Sequence, residues 1–398
     1  ILNTGDIEYV VNYIKDNEDC IYYNNVKNIK NLKSIDENTL RLELYNPDSF
    51  VEYNLIFPIA KNDAIGTGKY KFEDNCLKYN NSYWKENEPK ITTINIKLYD
   101  NMEQIYNDFK NGKIDVINTK KNEYKSILGK YGFNKKEYQG RNYIYFEFNN
   151  IEKEVKQAVF YAINKKQIIY KVYDGNYLDV DFPIDLSSWL FSDEIFYKYD
   201  IEKAIQILEN NNWKYYNDFW IKEDKKLILK VLVESTDKIN NEIAYILKEQ
   251  LSKIGIYVNI EKVSKNLYNY YLKNKNYDII IKTKYIGLSP DISSFFENGS
   301  IFESIYKSSS DRELISLYKN LQYNYNLDVP FIILCCGKQT LIYSDKIYGN
   351  IIPNWYYAFY DIENWKKIEK NTWQNKNLIY NISKQVFTNL KNILTIAF

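Results

Sequence analysis

The order of strand and helix patterns constrains this chain more than any other feature. Two segments of the chain each contain a strand pattern, an amphipathic helix pattern and a second strand pattern. The strand patterns either alternate between apolar and polar residues or are mainly apolar. The two units cover residues 91–99, 102–110 and 114–117 in the first unit, and residues 227–233, 241–254 and 256–263 in the second. Because such units lay helices against a sheet, the order predicts α/β or α+β lobes. We find no repeat at solenoid or propeller periods, which excludes those architectures.

The remaining predicted elements fit the same architecture. Helices are predicted at residues 7–16, 155–163, 200–210, 292–296 and 311–325. Strands are predicted at residues 39–44, 65–72, 143–148, 277–283, 331–336 and 339–343. A chain of 398 residues corresponds to two or three domains of ordinary size.

Charge and hydropathy exclude two classes of protein. Lys and Arg total 53 against 52 Asp and Glu, so no net field attracts nucleic acid or anionic lipid. No window reaches the roughly 18 uninterrupted apolar residues of a transmembrane helix, since even residues 331–336 are followed by Gly337 and Lys338. We therefore expect neither a nucleic-acid partner nor a membrane-spanning segment.

The absence of histidine restricts the chemistry. Without imidazole there is no Ser-His-Asp or Cys-His nucleophile system and no His-ligated zinc. Cys20, Cys76, Cys335 and Cys336 are too few and too poorly spaced for a zinc site. No paired acids share a setting that suits general acid and base catalysis. The sequence therefore predicts a protein that is not an enzyme, with no metal and no cofactor.

Several segments in collinear order carry a family resemblance. They are residues 66–72 (GTGKYKF), 81–84 (NSYW), 94–99, 109–116 (FKNGKIDV), 145–150 (YFEFNN), 155–165 (VKQAVFYAINK), 200–213, 250–258, 277–278 and 351–353. Over about 300 residues the chain resembles the extracytoplasmic solute-binding proteins of family 5. These are the oligopeptide, dipeptide and nickel-binding receptors of ABC importers.

The resemblance implies an α/β, two-lobe periplasmic-binding-protein-like fold of class II, in which ligand is trapped between lobes as a hinge closes. Two strands should cross between the lobes, near residues 141–145 and 336–339. Residues 61–142 and 339–366 would form lobe I, and residues 143–338 lobe II. The predicted core of lobe II contains Val155, Ala158, Ile163, Leu208, Ile243, Leu247, Leu251 and Ile279.

The two ends of the chain depart from the family pattern. Residues 1–60 resemble only the late part of a small extra subdomain, so lobe I is expected to be incomplete on its N-terminal side, with an exposed sheet edge. The tail at residues 367–398 has no recognisable family counterpart. Its apolar run at 393–398 either covers surface left by missing strands or is prone to aggregation.

The function implied is that of the substrate-binding component of an ABC importer. Such a component captures a peptide or peptide-like solute and delivers it to the membrane permease. The expected place is extracytoplasmic, either lipid-anchored at the outer face of the membrane or in the periplasm, and the expected state is a monomer. A ligand-sensing regulatory domain of the same fold and a truncated product without ligand function are the alternatives.

The crossing strands and one loop supply the first candidate ligand contacts. Arg141 is one of three arginines in the chain, and its guanidinium can bind a carboxylate through two hydrogen bonds. Tyr143 and Tyr145 are either ligand contacts or ordinary strand residues. Cys336, next to Cys335, is either a redox or soft-metal element or a small buried hydrophobe. Trp189 either stacks on ligand or packs.

The loop after residues 277–283 supplies the others. Similar peptide receptors hold the ligand's α-ammonium with an Asp at a position that falls here on Ile286 or Gly287. The predicted contacts in and near this loop are Lys265, Lys284, Tyr285, Gly287 and Asp291. Asp291 either replaces the missing acid or caps the next helix. With lysines nearby and no acid at that position, an anionic or N-blocked ligand is predicted.

Overall fold

The structure is a computed structural model that describes residues 3–61, 65–66, 68–85, 88–120, 132–192, 198–296 and 299–368. Most of the predicted tail, from residue 369 onward, lies outside the described residues. The helices are α1 Thr4–Lys15, α2 Tyr23–Val26, α3 Val51–Asn54, α4 Met102–Lys110, α5 Lys153–Ala162, α6 Lys165–Tyr173, α7 Ile201–Asn210, α8 Lys238–Ser252, α9 Lys265–Lys273, α10 Ser300–Lys307 and α11 Asp311–Asp328.

The strands follow the same chain order. They are β1 Ile29–Ser34, β2 Leu40–Leu44, β3 Ala60–Lys61, β4 Ile65–Gly66, β5 Tyr70–Glu73, β6 Cys76–Tyr79, β7 Thr93–Asn95, β8 Val116–Thr119, β9 Phe133–Phe148, β10 Tyr177–Leu178, β11 Lys214–Tyr216, β12 Phe219–Lys222, β13 Lys225–Lys226, β14 Ile228–Glu234, β15 Tyr257–Val263, β16 Ile279–Tyr285, β17 Phe331–Ser344, β18 Ile347–Tyr348 and β19 Lys366–Lys367.

Side-chain caps explain where several of the helices begin. Asn101 accepts a hydrogen bond from the Gln104 backbone N–H and starts α4, whose bounds match the prediction. Asp200 does the same for α7. Helix α1 begins three residues before its predicted start because Asn3 caps it in a capping box. The predicted helix at residues 292–296 is a single 3-10 turn, Ser293–Phe295.

A seven-stranded mixed sheet organises most of the molecule. Its order is β10, β17, β9, β16, β14, β15, and β8 also pairs with β17. Strands β14, β15 and β16 are parallel, with α8 connecting the first two, as the second predicted unit requires. The two strands of the first unit belong to different sheets, since β7 pairs with β6 in a separate three-stranded sheet.

Two long strands run through both halves of this sheet. Strand β9 has 16 residues and β17 has 14, and they pair along almost their whole length. Strand β8 lies beside the half of β17 that contains residues 340–343, whereas β16 lies beside the half of β9 that contains residues 142–148. The two long strands therefore connect two groups of neighbours.

The predicted strands at 331–336 and 339–343 are one strand. The register between β17 and β9 shifts between Ile333 and Cys335 and again between Cys336 and Lys338. Such bulges interrupt the alternation of side chains without ending the strand, and this is why the sequence pattern broke at Gly337.

The largest buried cluster lies on the side of β14, β16 and α8. It contains all eight residues predicted to share the core of lobe II. Separate smaller clusters surround α4, the end of β17 and the N-terminal helix. Phe50, from the N-terminal sixty residues, also belongs to the large cluster, and its ring lies 6.1 Å from that of Tyr318 in α11.

The close approach of β9 and β17 predicts an effect on stability. A Cβ at Gly140 would lie 2.6 Å from the carbonyl oxygen of Gly337, which is backbone and cannot rotate away. We expect Gly140→Ala to lower the free energy of unfolding by about 1–3 kcal/mol, measured by chemical denaturation. Gly287→Ala is the control, because its Cβ meets nothing nearer than 4.0 Å. Equal denaturation midpoints for the two variants would contradict this packing.

Candidate ligand-binding site

The candidate site lies around the midpoint of the β9 and β17 pair. The two predicted crossings are adjacent there, since Tyr143 pairs with Cys336 and Gln139 pairs with Lys338. Strand β10 joins at the same level through Tyr177, which pairs with Gly337. Backbone groups of three strands thus fix the positions of Gln139, Tyr143, Tyr145 and Cys336.

Gln139 is a buried polar residue with three hydrogen-bond partners, a role that the sequence did not reveal. Its Nε2 donates to the hydroxyl of Tyr143 at 2.8 Å and to the carbonyl of Ile184 at 3.1 Å, and its Oε1 accepts from the Leu186 N–H at 3.2 Å. These bonds attach the loop that leads to Trp189 to strand β9. A lone Gln in a strand carries no pattern that distinguishes this role from an exposed one.

Tyr143 and Tyr145 form an aromatic floor with two residues from elsewhere. The Tyr143 ring lies 6.0 Å from Phe295 and 6.2 Å from Trp355, and Tyr145 lies 5.2 Å from Phe295. Burial raises the pKa of both tyrosine hydroxyls, which stay neutral. The indole N–H of Trp355 is buried and has no acceptor among the described residues. The strand-residue interpretation accounts for the burial of both tyrosines, and ligand contact stays a prediction.

Lys284 lies against this floor. Its ammonium is 4.8 Å from the centre of the Phe295 ring and 5.9 Å from that of Tyr145, and it donates to the carbonyl of Ser294. Burial, together with the neighbouring Lys282, lowers the pKa of Lys284. In the described part of the chain it forms no ion pair.

Arg141 stacks on an exposed aromatic ring. Its Cζ lies 4.7 Å above the ring of Tyr285, which is 55% exposed. The Arg141 carbonyl accepts from the N–H of Ile286 at 3.0 Å, which places the guanidinium beside the loop that carries Gly287. No carboxylate pairs with Arg141 anywhere in the described ranges.

The acids near these cations are already engaged. Both oxygens of Glu147 accept from Lys282 at 2.7 Å, and Oε1 also accepts from the hydroxyl of Tyr277. Asp291 accepts from the Ser293 N–H at 2.8 Å and from the hydroxyl of Tyr306 at 3.0 Å. Asp291 therefore holds the first residue of the 3-10 turn, whose N-cap position is Ile292, and its contact with ligand stays a prediction.

Trp189 and Lys265 lie apart from this group, and Cys336 is buried beside Tyr143. Trp189 is 43% exposed and its indole N–H donates to the hydroxyl of Tyr53 at 3.2 Å. Lys265 is exposed at the first residue of α9, after the edge strand β15. Cys336 is buried, its Sγ lies 3.1 Å from the carbonyl of Gly140, and burial raises its pKa, which favours the hydrophobe interpretation.

Comparison with known proteins identifies the family. The sequence model of one protein family, the bacterial extracellular solute-binding proteins, family 5 Middle, matches residues 2–300. The chain therefore belongs to this family, whose members are binding proteins and not enzymes. The predicted fold class is confirmed. In the described residues no helix has the length and apolar character needed to span a membrane.

Individual relatives are distant. Oligopeptide-binding protein AppA of Bacillus subtilis (strain 168) is 24% identical over 283 residues, covering 66% of this chain and 52% of AppA. Heme-binding protein A of Haemophilus influenzae is 25% identical over 271 residues, covering 58% of this chain and 47% of that protein. The match thus spans about half the length of these curated relatives.

The fold is shared with solved structures. HbpA2 from Haemophilus parasuis superimposes with a TM-score of 0.72 at 16% identity, covering 92% of this chain and 83% of HbpA2. At this identity the likeness establishes the architecture, and the ligand has to be argued from this chain's own residues.

The hydrogen bonds of Gln139 give a second stability prediction. Gln139→Leu leaves the Leu186 N–H and the Ile184 carbonyl without their buried partner, so we expect a loss of about 1–3 kcal/mol in the free energy of unfolding. Gln339→Leu is the matched control. Its partners Tyr138 and Asn118 are partly exposed, and water can replace the amide. A larger loss for Gln339→Leu in chemical denaturation would contradict the role of Gln139.

Proposed function

We propose that this chain is the substrate-binding component of an ABC importer, which captures a peptide or peptide-like solute between two lobes and delivers it to the membrane permease. Membership of family 5 supports the binding role. The observation that carries the two-lobe mechanism is the β9 and β17 pair, the two long strands shared by both groups of sheet strands.

In this proposal the lobes move about the middle of the two strands. Residues 61–142 and 339–366 form one lobe and residues 143–338 the other. Small residues absorb backbone rotation easily, and Gly140 and Gly337 face each other at the midpoint. The ligand would lie next to this midpoint, where the aromatic floor, Lys284 and Arg141 converge.

The cellular location and the binding partners of the protein follow from the proposed transport role. The protein would act outside the cytoplasm, at the outer face of the membrane through a lipid anchor in the full-length protein or in the periplasm. Its partners would be a peptide-like ligand and the permease subunits of the importer, and it would work as a monomer.

Ligand binding predicts a gain in thermal stability. A pool of tri- and tetrapeptides should raise the melting temperature, because a ligand at 100 times its dissociation constant adds about 2.7 kcal/mol to the folded state. Small-angle scattering should show a smaller radius of gyration with ligand, as the lobes close.

Native mass spectrometry of freshly purified protein would identify any solute that copurifies. Arg312→Ala, an exposed residue of α11 outside the site, should respond to the pool like the unmodified chain. If no peptide shifts the melting temperature and no solute copurifies, the proposed capture of a peptide or peptide-like solute is contradicted.

A further inference from the structure

We infer that this cleft selects ligands with a carboxylate near the β9 crossing and no free ammonium there. The preferred class is an N-blocked peptide or another peptide-like acid. The inference rests on the proposed function, because it names the ligand class of that same site. It follows from the balance of hydrogen-bond donors, acceptors and charges among the described residues.

The site presents cations that the protein does not neutralise. Lys284 has three N–H donors, and among described residues only the carbonyl of Ser294 accepts from it. Arg141 has five donors in a planar fork, and the described contact of its guanidinium is the face of Tyr285. An anion placed here would meet ready donors without displacing an internal partner.

The two cations project from neighbouring strands. Lys284 pairs across the sheet with Tyr143, and Arg141 lies two residues from Tyr143 on the same strand, about 7 Å along it. A carboxylate bound beside either cation gains a favourable charge interaction, whereas an ammonium bound there is repelled.

The acids nearest the cations already have internal partners. Glu147 is held by Lys282 and Tyr277, and Asp291 accepts from the N–H of Ser293 and from the hydroxyl of Tyr306. Gly287 contributes no side chain to the loop. If Asp291 rotated toward an ammonium, it would lose its hydrogen bonds to Ser293 and Tyr306.

The aromatic floor supplies one more donor. The buried indole N–H of Trp355 lacks an acceptor among the described residues, and its ring lies 6.2 Å from Tyr143. An acyl or peptide carbonyl on the ligand can accept from it. Trp355 therefore adds a donor to those of Lys284 and Arg141, which suits an acidic ligand rich in carbonyl groups.

One peptide library in four terminal forms tests the inference. The forms combine a free or acetylated N-terminus with a free or amidated C-terminus, and calorimetry measures their affinities for the full chain. We expect the acetylated acid to bind tightest and the free-amine amide weakest. A preference for the free-amine amide would overturn the inference while leaving the proposed function standing. Failure of all four forms to bind overturns the proposed function and the inference with it.

Variants locate the effect at the two cations. Arg141→Ala and Lys284→Met should each weaken the acetylated acid by about 10- to 100-fold, because each removes a charged hydrogen bond, and should leave the acetylated amide within about twofold. Arg141→Lys keeps the charge but loses the fork, so an intermediate loss is expected. Arg312→Ala is the control with unchanged affinity. Equal losses for the acid and amide forms would assign Arg141 and Lys284 to structure and overturn the inference.

Adding an acid beside the cations gives the reverse test. The space around Gly287 admits a side chain, since a Cβ there meets nothing nearer than 4.0 Å. Gly287→Asp should improve binding of free-amine forms by about 30-fold and weaken the acetylated acid. Asp291→Asn should leave the ranking of the four forms unchanged. If Asp291→Asn instead abolishes binding of free-amine forms, Asp291 is the ammonium partner and the inference is wrong.

Discussion

The hydrogen-bond ladder between β9 and β17 is the constraint on which the rest of the structure depends. It fixes Tyr143 opposite Cys336, and through β16 it fixes Lys284 opposite Tyr143. Arg141, Tyr143, Tyr145 and Lys284 project from strands whose register is set by many backbone bonds. The two bulges in β17 adjust that register within a continuous strand.

The electrostatics of the site depend on which groups the acids Glu147 and Asp291 bind. Glu147 pairs with Lys282 and accepts from Tyr277, and Asp291 accepts from Ser293 and Tyr306, so in the described chain neither acid forms an ion pair with Lys284 or Arg141. Cation–ring contacts with Phe295 and Tyr285 partly replace the lost hydration of Lys284 and Arg141. A desolvated cation that contacts an aromatic ring is held in place without a counter-ion. The rings therefore position Lys284 and Arg141 but do not neutralise their charges.

Sequence reasoning captured local structure better than connectivity. The α4 bounds follow from Asn101 and a helical spacing of apolar residues, and both are local signals. The continuity of β17 could not be predicted, because its bulges imitate the end of a strand. The role of Gln139 was equally invisible, since it depends on a loop 45 residues later in the chain. At the site, the absence of an acid at Ile286 or Gly287 as a ligand determinant stays a prediction, and the engagement of Glu147 by Lys282 and Tyr277 was not visible in the sequence.

Tyr53 bridges two loops that are far apart in the chain. Its hydroxyl accepts from the indole of Trp189, and its ring lies 6.1 Å from that of Tyr356. A hydrogen bond and a ring contact of this kind are together worth on the order of 2 kcal/mol. An arrangement in which the bridge is broken would then be populated at about a few per cent without any ligand. The spacing of the Trp189 and Tyr356 loops is thus subject to thermal fluctuation.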